Sequence, residues 1–476
     1  MPDRGPATTT APGRPAVVLA VCCLSLLIAG LDTTAVNVAL PAIQRDLDAP
    51  VSGLQWTVDS YILTIAGFLM LAGAGADRLG RRRVFQVGLG LFTAASLACS
   101  LAPDTTWLVI FRVAQGLGAS MLNPVALSIV TNTFPEPRER ARAIGIWGGT
   151  VGLSLALGPV VGGLLVAVAG WRSVFWITIP IGLAAIVLTA LFVPESRAAV
   201  PRRPDPVAQV LVVTILGTIT YAIIEGAGYG YGSPLIVGLI SVGVLAAFGL
   251  AAYERRREQP LIEPAFFRSL PFTAASLIAV VAFIGLGGFL FLNTLYLQSV
   301  RGYSALHAGL LTVPMAGATA LTSPISGRLT ARYGQRPPLV AAGLLFSVSA
   351  LILTTSTPDT ALPVLVVAYL VFGVAFGLVN TPITTMAVAG MPRSQAGVSA
   401  GIATTARQVG SGLGVAVLGS IVGRGEDFTT ASHTGWWILA GGGVLIVVLG
   451  VLATTGRAVA GAGRVAARFP DRQGAS

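Results

Sequence analysis

Gly73-Ala74-Gly75-Ala76-Asp77-Arg78-Leu79-Gly80-Arg81-Arg82-Arg83 lies between two long apolar segments of this 476-residue chain. A degenerate copy, Gly327-Arg328-Leu329-Thr330-Ala331-Arg332-Tyr333-Gly334-Gln335-Arg336, follows later. Each copy comes after the second long apolar segment of its half of the chain. A glycine- and arginine-rich hinge repeated in this way implies two related helical bundles joined in tandem within a membrane. Chains of that plan rock one half against the other.

Composition supports the membrane. The chain is 54% hydrophobic and only 10% charged, too little charge for a soluble surface of this size. Its 58 glycines suit helices that pack closely without water. Net charge is +11 and all 30 basic residues are arginine. A basic balance can signal nucleic acid, but these arginines sit in short loops between apolar spans, so topology accounts for them. Cys22, Cys23 and Cys99 fall in apolar segments and imply no disulfide framework. The first apolar segment lacks a small-residue cleavage site and reads as a retained helix rather than a signal peptide.

A crossing helix needs about 20 apolar residues. Fourteen stretches qualify: 16–40, 53–76, 84–102, 106–133, 141–169, 173–193, 207–226, 234–253, 272–298, 305–330, 337–356, 362–387, 397–423 and 435–455. The expected fold is an all-α membrane protein of fourteen transmembrane helices. Asn123-Pro124 and Phe134-Pro135 around helix 4 are echoed by Asn380-Thr381-Pro382 and Met391-Pro392 around helix 12. Helices 1–6 thus resemble helices 9–14, with helices 7 and 8 inserted. The divisions are a tail 1–15, a six-helix bundle 16–193, two linker helices 207–253, a second six-helix bundle 272–455 and a tail 456–476.

Arginine placement sets orientation. One side receives Arg4, Arg14, Arg78 to Arg83, Arg138 to Arg142, Arg197 to Arg203, Arg255 to Arg268, Arg328 to Arg336, Arg393 and the four C-terminal arginines. The other receives only Arg45, Arg172, Arg301 and Arg424. Both termini and the Asp77 loop are therefore expected in the cytoplasm. Arg112 and Arg407 fall inside spans.

These motifs resemble the major facilitator superfamily, and within it the 14-helix drug:proton antiporters. Gly73–Arg83 is similar to the signature loop between helices 2 and 3. Leu31-Asp32-Thr33-Thr34-Ala35-Val36-Asn37-Val38-Ala39-Leu40-Pro41 resembles the helix 1 motif of the 14-helix branch. Arg112-Val113-Ala114-Gln115-Gly116-Leu117-Gly118 resembles the helix 4 motif with its buried arginine. Gly158-Pro159-Val160-Val161-Gly162-Gly163 resembles the helix 5 antiporter motif, departing from it in Ser154, where a glycine is usual. Arg407-Gln408-Val409-Gly410 is similar to the helix 13 pattern. The resemblance implies a proton-driven exporter of lipophilic drugs or antibiotics in the plasma membrane. It would be a monomer without enzymatic activity, cofactor, metal or nucleic-acid partner. Its partners would be a small lipophilic molecule, protons and the bilayer.

An ionisable residue inside a span is costly and a functional candidate. At about 1.5 Å per residue, Asp32 lies about 24 Å along helix 1, and Asp59 and Arg112 about 9 Å from the starts of helices 2 and 4. All three fall in one layer of the outer half. Asp32 and Arg112 are the expected proton-coupling pair; the alternative is a static ion pair pinning helices 1 and 4. Asp59, one turn from Trp56 and followed by Tyr61, suits a lipophilic cation through charge and cation–π contact; the alternative is a solvated helix end. Arg112, Gln115, Ala119 and Asn123 form a stripe on helix 4 that should face a cavity. Arg407 and Gln408 either contact substrate or bond across the bundle. Glu225 reads as an interfacial residue.

The helix 5 residues Gly158, Pro159, Gly162 and Gly163 allow close approach and a bend, either as packing or as a conformational element; the resemblance favours the second. The resemblance also makes Gly73, Asp77, Arg78 and Gly80 a latch. In it Asp77 would meet a helix N-terminus of the other half, and Ala331 in the second copy makes the latch one-sided. Trp56, Tyr61, Phe289, Phe291 and Tyr296 line a cavity or serve as packing. His307 and His433 are expected in outer loops, with no metal site. Rival readings are an exporter of one endogenous product, a proton symporter for uptake and a membrane receptor.

Overall fold

The computed structural model describes residues 15–198, 204–257, 263–389, 396–423 and 427–466. Arg4, Arg14, Arg202, Arg203, Arg393, Arg424, Arg468, Arg472 and the Met391-Pro392 pair lie outside them. The described residues form helices and no strand.

In chain order the long helices are α1 (Pro15–Asp46), α2 (Val51–Leu79), α3 (Arg81–Ser100), α4 (Thr105–Thr133), α5 (Pro137–Ala169), α6 (Ser173–Phe192), α7 (Pro206–Tyr229), α8 (Pro234–Glu254), α9 (Leu270–Val300), α10 (Ala305–Tyr333), α11 (Arg336–Leu353), α12 (Leu362–Val388), α13 (Ala396–Val422) and α14 (Phe428–Ala453). Among the described residues, thirteen are long and apolar enough to cross a membrane. The exception is α13. It has the length, at 27 residues, but Arg407, Gln408 and many glycines, serines and threonines dilute its hydropathy. It packs between α2 and α9 all the same.

Side-chain caps explain several boundaries. Asp104 accepts from Trp107 N at 3.0 Å to start α4, and Ser304 accepts from His307 N at 3.2 Å to start α10. Asp427 accepts from Thr430 N at 3.1 Å, so α14 begins before the residue 435 expected from hydropathy alone. His307 and His433 are consequently helical, not in loops. His433 Nε2 lies 2.7 Å from the Ser356 carbonyl, and His307 stacks on Tyr303. Asp205 caps α7 and clasps the end of α8 through Tyr253 (3.1 Å) and Arg257. Burial pushes its carboxyl up, but the hydrogen bonds from Ala208 N, Tyr253 and Arg257 outweigh this and hold it below its ordinary value.

Helix pairing recurs along the chain. α1 packs on α5, α2 on α4 and α3 on α4; likewise α9 packs on α13, α10 on α12 and α11 on α12. α7 sits against α2 and α13, and α8 packs mainly on α7. Residues 456–476, expected as a tail, include a further short helix, α15 (Gly456–Ala466), lying against α9.

The first six helices meet the last six along a wedge. At the arginine-poor end α5 touches α10. A Cβ on Gly163 would stand 2.5 Å from the Ala305 carbonyl oxygen, and one on Gly309 2.2 Å from that of Pro159. Gln298 donates to the Val38 carbonyl at 2.8 Å and Gln55 to that of Ala416 at 2.8 Å. Toward the arginine-rich end these helices diverge: Gly145, Gly148, Gly149 and Gly152 of α5, and Gly317 and Gly327 of α10, face open space. α2 and α13 stay in contact further, with Met70 3.9 Å from a Cβ placed on Gly401.

Two outcomes follow from this geometry. Gly309→Val cannot fit against Pro159, and overpacking of about 1–3 kcal/mol should part the seam. A cysteine replacing half-buried Leu306 should then react with an impermeant maleimide about fivefold faster or more. Gly317→Val, which meets open space, should leave the rate unchanged; equal effects of both would show that the seam is not closed by this contact. For orientation, Asp359→Cys, exposed between α11 and α12, should label on intact cells and Arg197→Cys should not. The opposite pattern would invert the assignment of sides.

Candidate functional site

Two charges inside apolar helices meet at Arg112 on α4. Arg112 and Asp32 of α1 are each 1% exposed and form an ion pair. Such a pair survives burial only if its remaining donors and acceptors find partners, and several do. Arg112 Nε donates to the Thr57 carbonyl of α2 at 3.0 Å, and its Nη1 also donates to Gln115 Oε1 at 2.7 Å. Gln115 Nε2 donates to Asp32 Oδ1 at 2.9 Å and to Ser96 Oγ of α3 at 2.7 Å. Tyr61 lies flat on the guanidinium, 4.1 Å from Cζ to ring centroid, and Phe175 of α6 approaches at 6.0 Å. The cluster joins five helices.

The three residues taken together on α2 part company. Tyr61 is fully buried on Arg112. Trp56 turns the other way, donating from Nε1 to Glu225 of α7 at 2.8 Å and packing beside Tyr221. Asp59 faces α13: a Cβ on Gly412 would lie 3.4 Å from its Oδ1, among Leu63 and Ile62. Asp59 is 0% exposed, and neither carboxylate oxygen has a hydrogen-bond partner. Asp59 therefore does not share an aromatic face with Tyr61, because two residues on from it the helix has turned about 200°. Nor is it a solvated helix end.

The helix 4 stripe divides as well. Gln115 belongs to the ion-pair cluster. Asn123, beside the Pro124 kink, is half-buried, with its side-chain oxygen unpartnered. On α13, Arg407 donates to Thr384 Oγ1 of α12 at 2.6 Å and lies 6.0 Å from the Phe283 ring, while its Nε has no partner. Gln408, the next residue, is half-buried.

The α5 glycines serve two neighbours. Gly158 and Gly162 admit Thr34 and Ala35 of α1, and Gly163 admits Ala305 of α10. Ser154 is accommodated because the facing residue is Gly30; a Cβ there would lie 2.1 Å from Ser154 Oγ. The extra atoms on one helix are matched by their absence on the other.

The Gly73–Arg83 loop is anchored within its own half. Asp77 pairs with Arg81 at 3.0 Å, and its carbonyl accepts from Ala198 N at 3.2 Å. Gly80 adopts φ 113°, and a Cβ there would strike the Glu195 carboxylate at 2.6 Å. Glu195 accepts from Arg82 N at 3.1 Å and pairs with Arg83 at 3.7 Å. Gly73 packs on Pro124, and Arg78 is exposed. No motif flagged Glu195, Ser96 or the Thr57 carbonyl, since each acts only through residues distant in sequence.

The pattern of the Major Facilitator Superfamily matches residues 22–415. The multidrug resistance protein Stp of Mycobacterium tuberculosis is 38% identical over 410 residues, 86% of this chain and 76% of that protein. The tetracenomycin C resistance and export protein of Streptomyces glaucescens is 36% identical over 412 residues, covering 86% and 76%. The methylenomycin A resistance protein of Streptomyces coelicolor is 35% identical over 401 residues, 84% of each. In fold, a partially occluded inward-open structure of the xylose transporter XylE from E. coli superposes with TM-score 0.66 at 15% identity, covering 93% of this chain and 98% of that one. A bacterial homologue of the lysosomal transporter Spinster gives 0.63 at 20%, covering 97% and 98%. The chain is a multi-pass membrane transporter belonging to the Major Facilitator Superfamily, with drug- and antibiotic-resistance efflux proteins among its relatives.

Proposed function

We propose that this protein exports lipophilic drugs or antibiotics across the plasma membrane in exchange for protons, by alternating access. In this reading fourteen transmembrane helices form two pseudo-repeated six-helix bundles, α1–α6 and α9–α14, with α7 and α8 inserted. Both termini are cytoplasmic, the unit is a monomer, and the proton gradient is the only energy source. The recurring helix pairs and the one-sided distribution of arginine support this arrangement. The wedge then opens toward the cytoplasm, the side from which an exporter loads.

The observation that carries the reading is the sealed Asp32–Arg112–Gln115 cluster beside an unpartnered acid, Asp59, at the contact with the other bundle. A proton on Asp32 removes its half of the ion pair. Arg112 is still held by Gln115 Oε1, the Thr57 carbonyl and the Tyr61 face. The cluster can therefore change charge without expelling the guanidinium, and the loss loosens α1 from α4. Asp59 is in the opposite condition. An isolated carboxylate without donors is very unfavourable in an apolar site, and a cationic substrate or a proton relieves it. Arg407 and Gln408 on α13, and Asn123 on α4, supply polar groups for the rest of the substrate. Asp77 and Gly80 act when the open end closes, and the glycines of α5 provide the sliding surface. A narrower reading is export of one endogenous compound; the relative named for resistance to and export of a single compound, tetracenomycin C, supports the narrow range.

The assay is efflux from vesicles under an imposed pH gradient, comparing a cationic dye with a neutral drug. Asp32→Asn should abolish uphill export of both, as the proton-releasing step is gone. Asp59→Asn should reduce export of the dye at least about tenfold, the loss expected from one Coulomb partner in a low-dielectric site, and spare the neutral drug. Full activity in both variants would place coupling elsewhere, and loss of both compounds in Asp59→Asn alone would exchange the two roles.

A further inference from the structure

The arginine-rich end of the bundle carries a second charged feature, to which the proposed transport cycle assigns no role. α15 leaves α14 through Thr454 and Thr455 and lies against α9 and the turn Pro264–Arg268. It buries Ala458, Ala462 and Val465 on one face. The adjoining edge presents Arg457, Gly461 and Arg464 at helical spacing, an amphipathic pattern suited to the membrane interface. Between this edge and the turn lies a cavity of about 210 Å³ lined by Arg268, Gly461, Arg464 and Val465.

Two guanidinium groups thus line one small cavity, and among the described residues neither forms an ion pair. α15 contains no acid, and Glu263, just before the turn, has its carboxylate committed to Ala265 N at 3.3 Å. Gly461 leaves room between the cations. Phe267 and Leu270, either side of Arg268 and Ser269, are 44% and 45% exposed, offering apolar surface beside the charge. The cavity is smaller than the roughly 300–1,000 Å³ of drug-sized pockets, so it does not suit the export substrate.

We propose that this cavity binds the headgroup of an anionic phospholipid, its phosphate held between Arg268 and Arg464 and its acyl chains running past Phe267 and Leu270. Arginine forks match phosphate oxygens, and basic pockets at the cytoplasmic face of helical bundles attract acidic lipid. The site depends on the membrane placement of the chain and on the sidedness read from its arginines, not on what is exported.

The test is native mass spectrometry of the full-length protein with added phosphatidylglycerol or phosphatidylcholine. Phosphatidylglycerol should be retained in preference. The Arg268→Gln/Arg464→Gln double variant should retain it about tenfold less or worse, each arginine near an anionic surface contributing a factor of several. Both side chains are exposed, so the variant should melt as the parent does; the two single variants, each with an intermediate loss, repeat the test independently of the double one. Arg336→Gln, an exposed arginine at the same end but outside the cavity, should bind as the parent. Equal retention by parent and double variant, or equal retention of the two lipids, overturns the proposal. Displacement of the lipid by millimolar inorganic phosphate would make this a soluble-anion site and overturn it equally.

Discussion

Arg112 carries a guanidinium buried among apolar helices, so everything near it is arranged around a positive charge. An arginine at such a depth is costly on any scale. Asp32 supplies the counter-charge, Thr57 offers a carbonyl, Tyr61 gives the negative face of its ring, and Gln115 bridges arginine, aspartate and Ser96. These groups come from α1, α2, α3 and α4, whose mutual positions are thereby specified. Remove one acceptor and the others inherit an under-satisfied cation. That is why the cluster ties these four helices to one another.

Apolar packing sets the remaining geometry by a different rule. In a membrane there is no hydrophobic drive between helices, so close backbone approach supplies the attraction. The same helix pairs in the two halves use it. α5 brings Gly158 and Gly162 to α1; α13 brings Gly410 and Gly414 to within van der Waals collision of any side chain from the Val280 and Ile284 carbonyls of α9. Gly163 and Gly309 apply the rule across the two bundles. A contact made of backbone and small residues has no interlocking side chains, so it can part and re-form without rotamer changes. This property suits the wedge between α5 and α10.

What could be read from the sequence was the part that depends on residue type. Asp32 and Arg112 stood out because charges inside apolar spans demand partners, and the glycines of α5 because nothing else permits such approach. Helical spacing gives the angle of a residue on its own helix but not the rotation of that helix against its neighbours. Spacing alone groups Tyr61 and Trp56 with Asp59, whereas in the structure Tyr61 covers Arg112 and Trp56 binds Glu225 on α7. Gln115 was seen as one of a stripe, while its four hydrogen-bonding positions are divided among Arg112, Asp32, Ser96 and Cys99. Glu195 was invisible because its role is defined by the absence of a side chain at Gly80.

In the proposed repeat, corresponding helix contacts of the two halves differ in chemistry. In the first, α1 and α4 are joined by Asp32 and Arg112. In the second, the matching pair α9 and α12 is joined by neutral groups: Tyr369 donates to Asn293, and Phe289 stacks on Phe372 with centroids 4.5 Å apart. Phe346 and Trp436 extend that stack on either side. An aromatic core of this kind holds no ion pair and has many dispersion contacts to lose. Under the proposed exchange a proton would act on the charge pair of the first half, and the corresponding contact of the second half offers it no acid. Asp59 lies on α2 and faces α13 of the other half. A charge placed at that boundary acts on the position of one bundle against the other, whereas the same charge inside either bundle would act only on its internal packing.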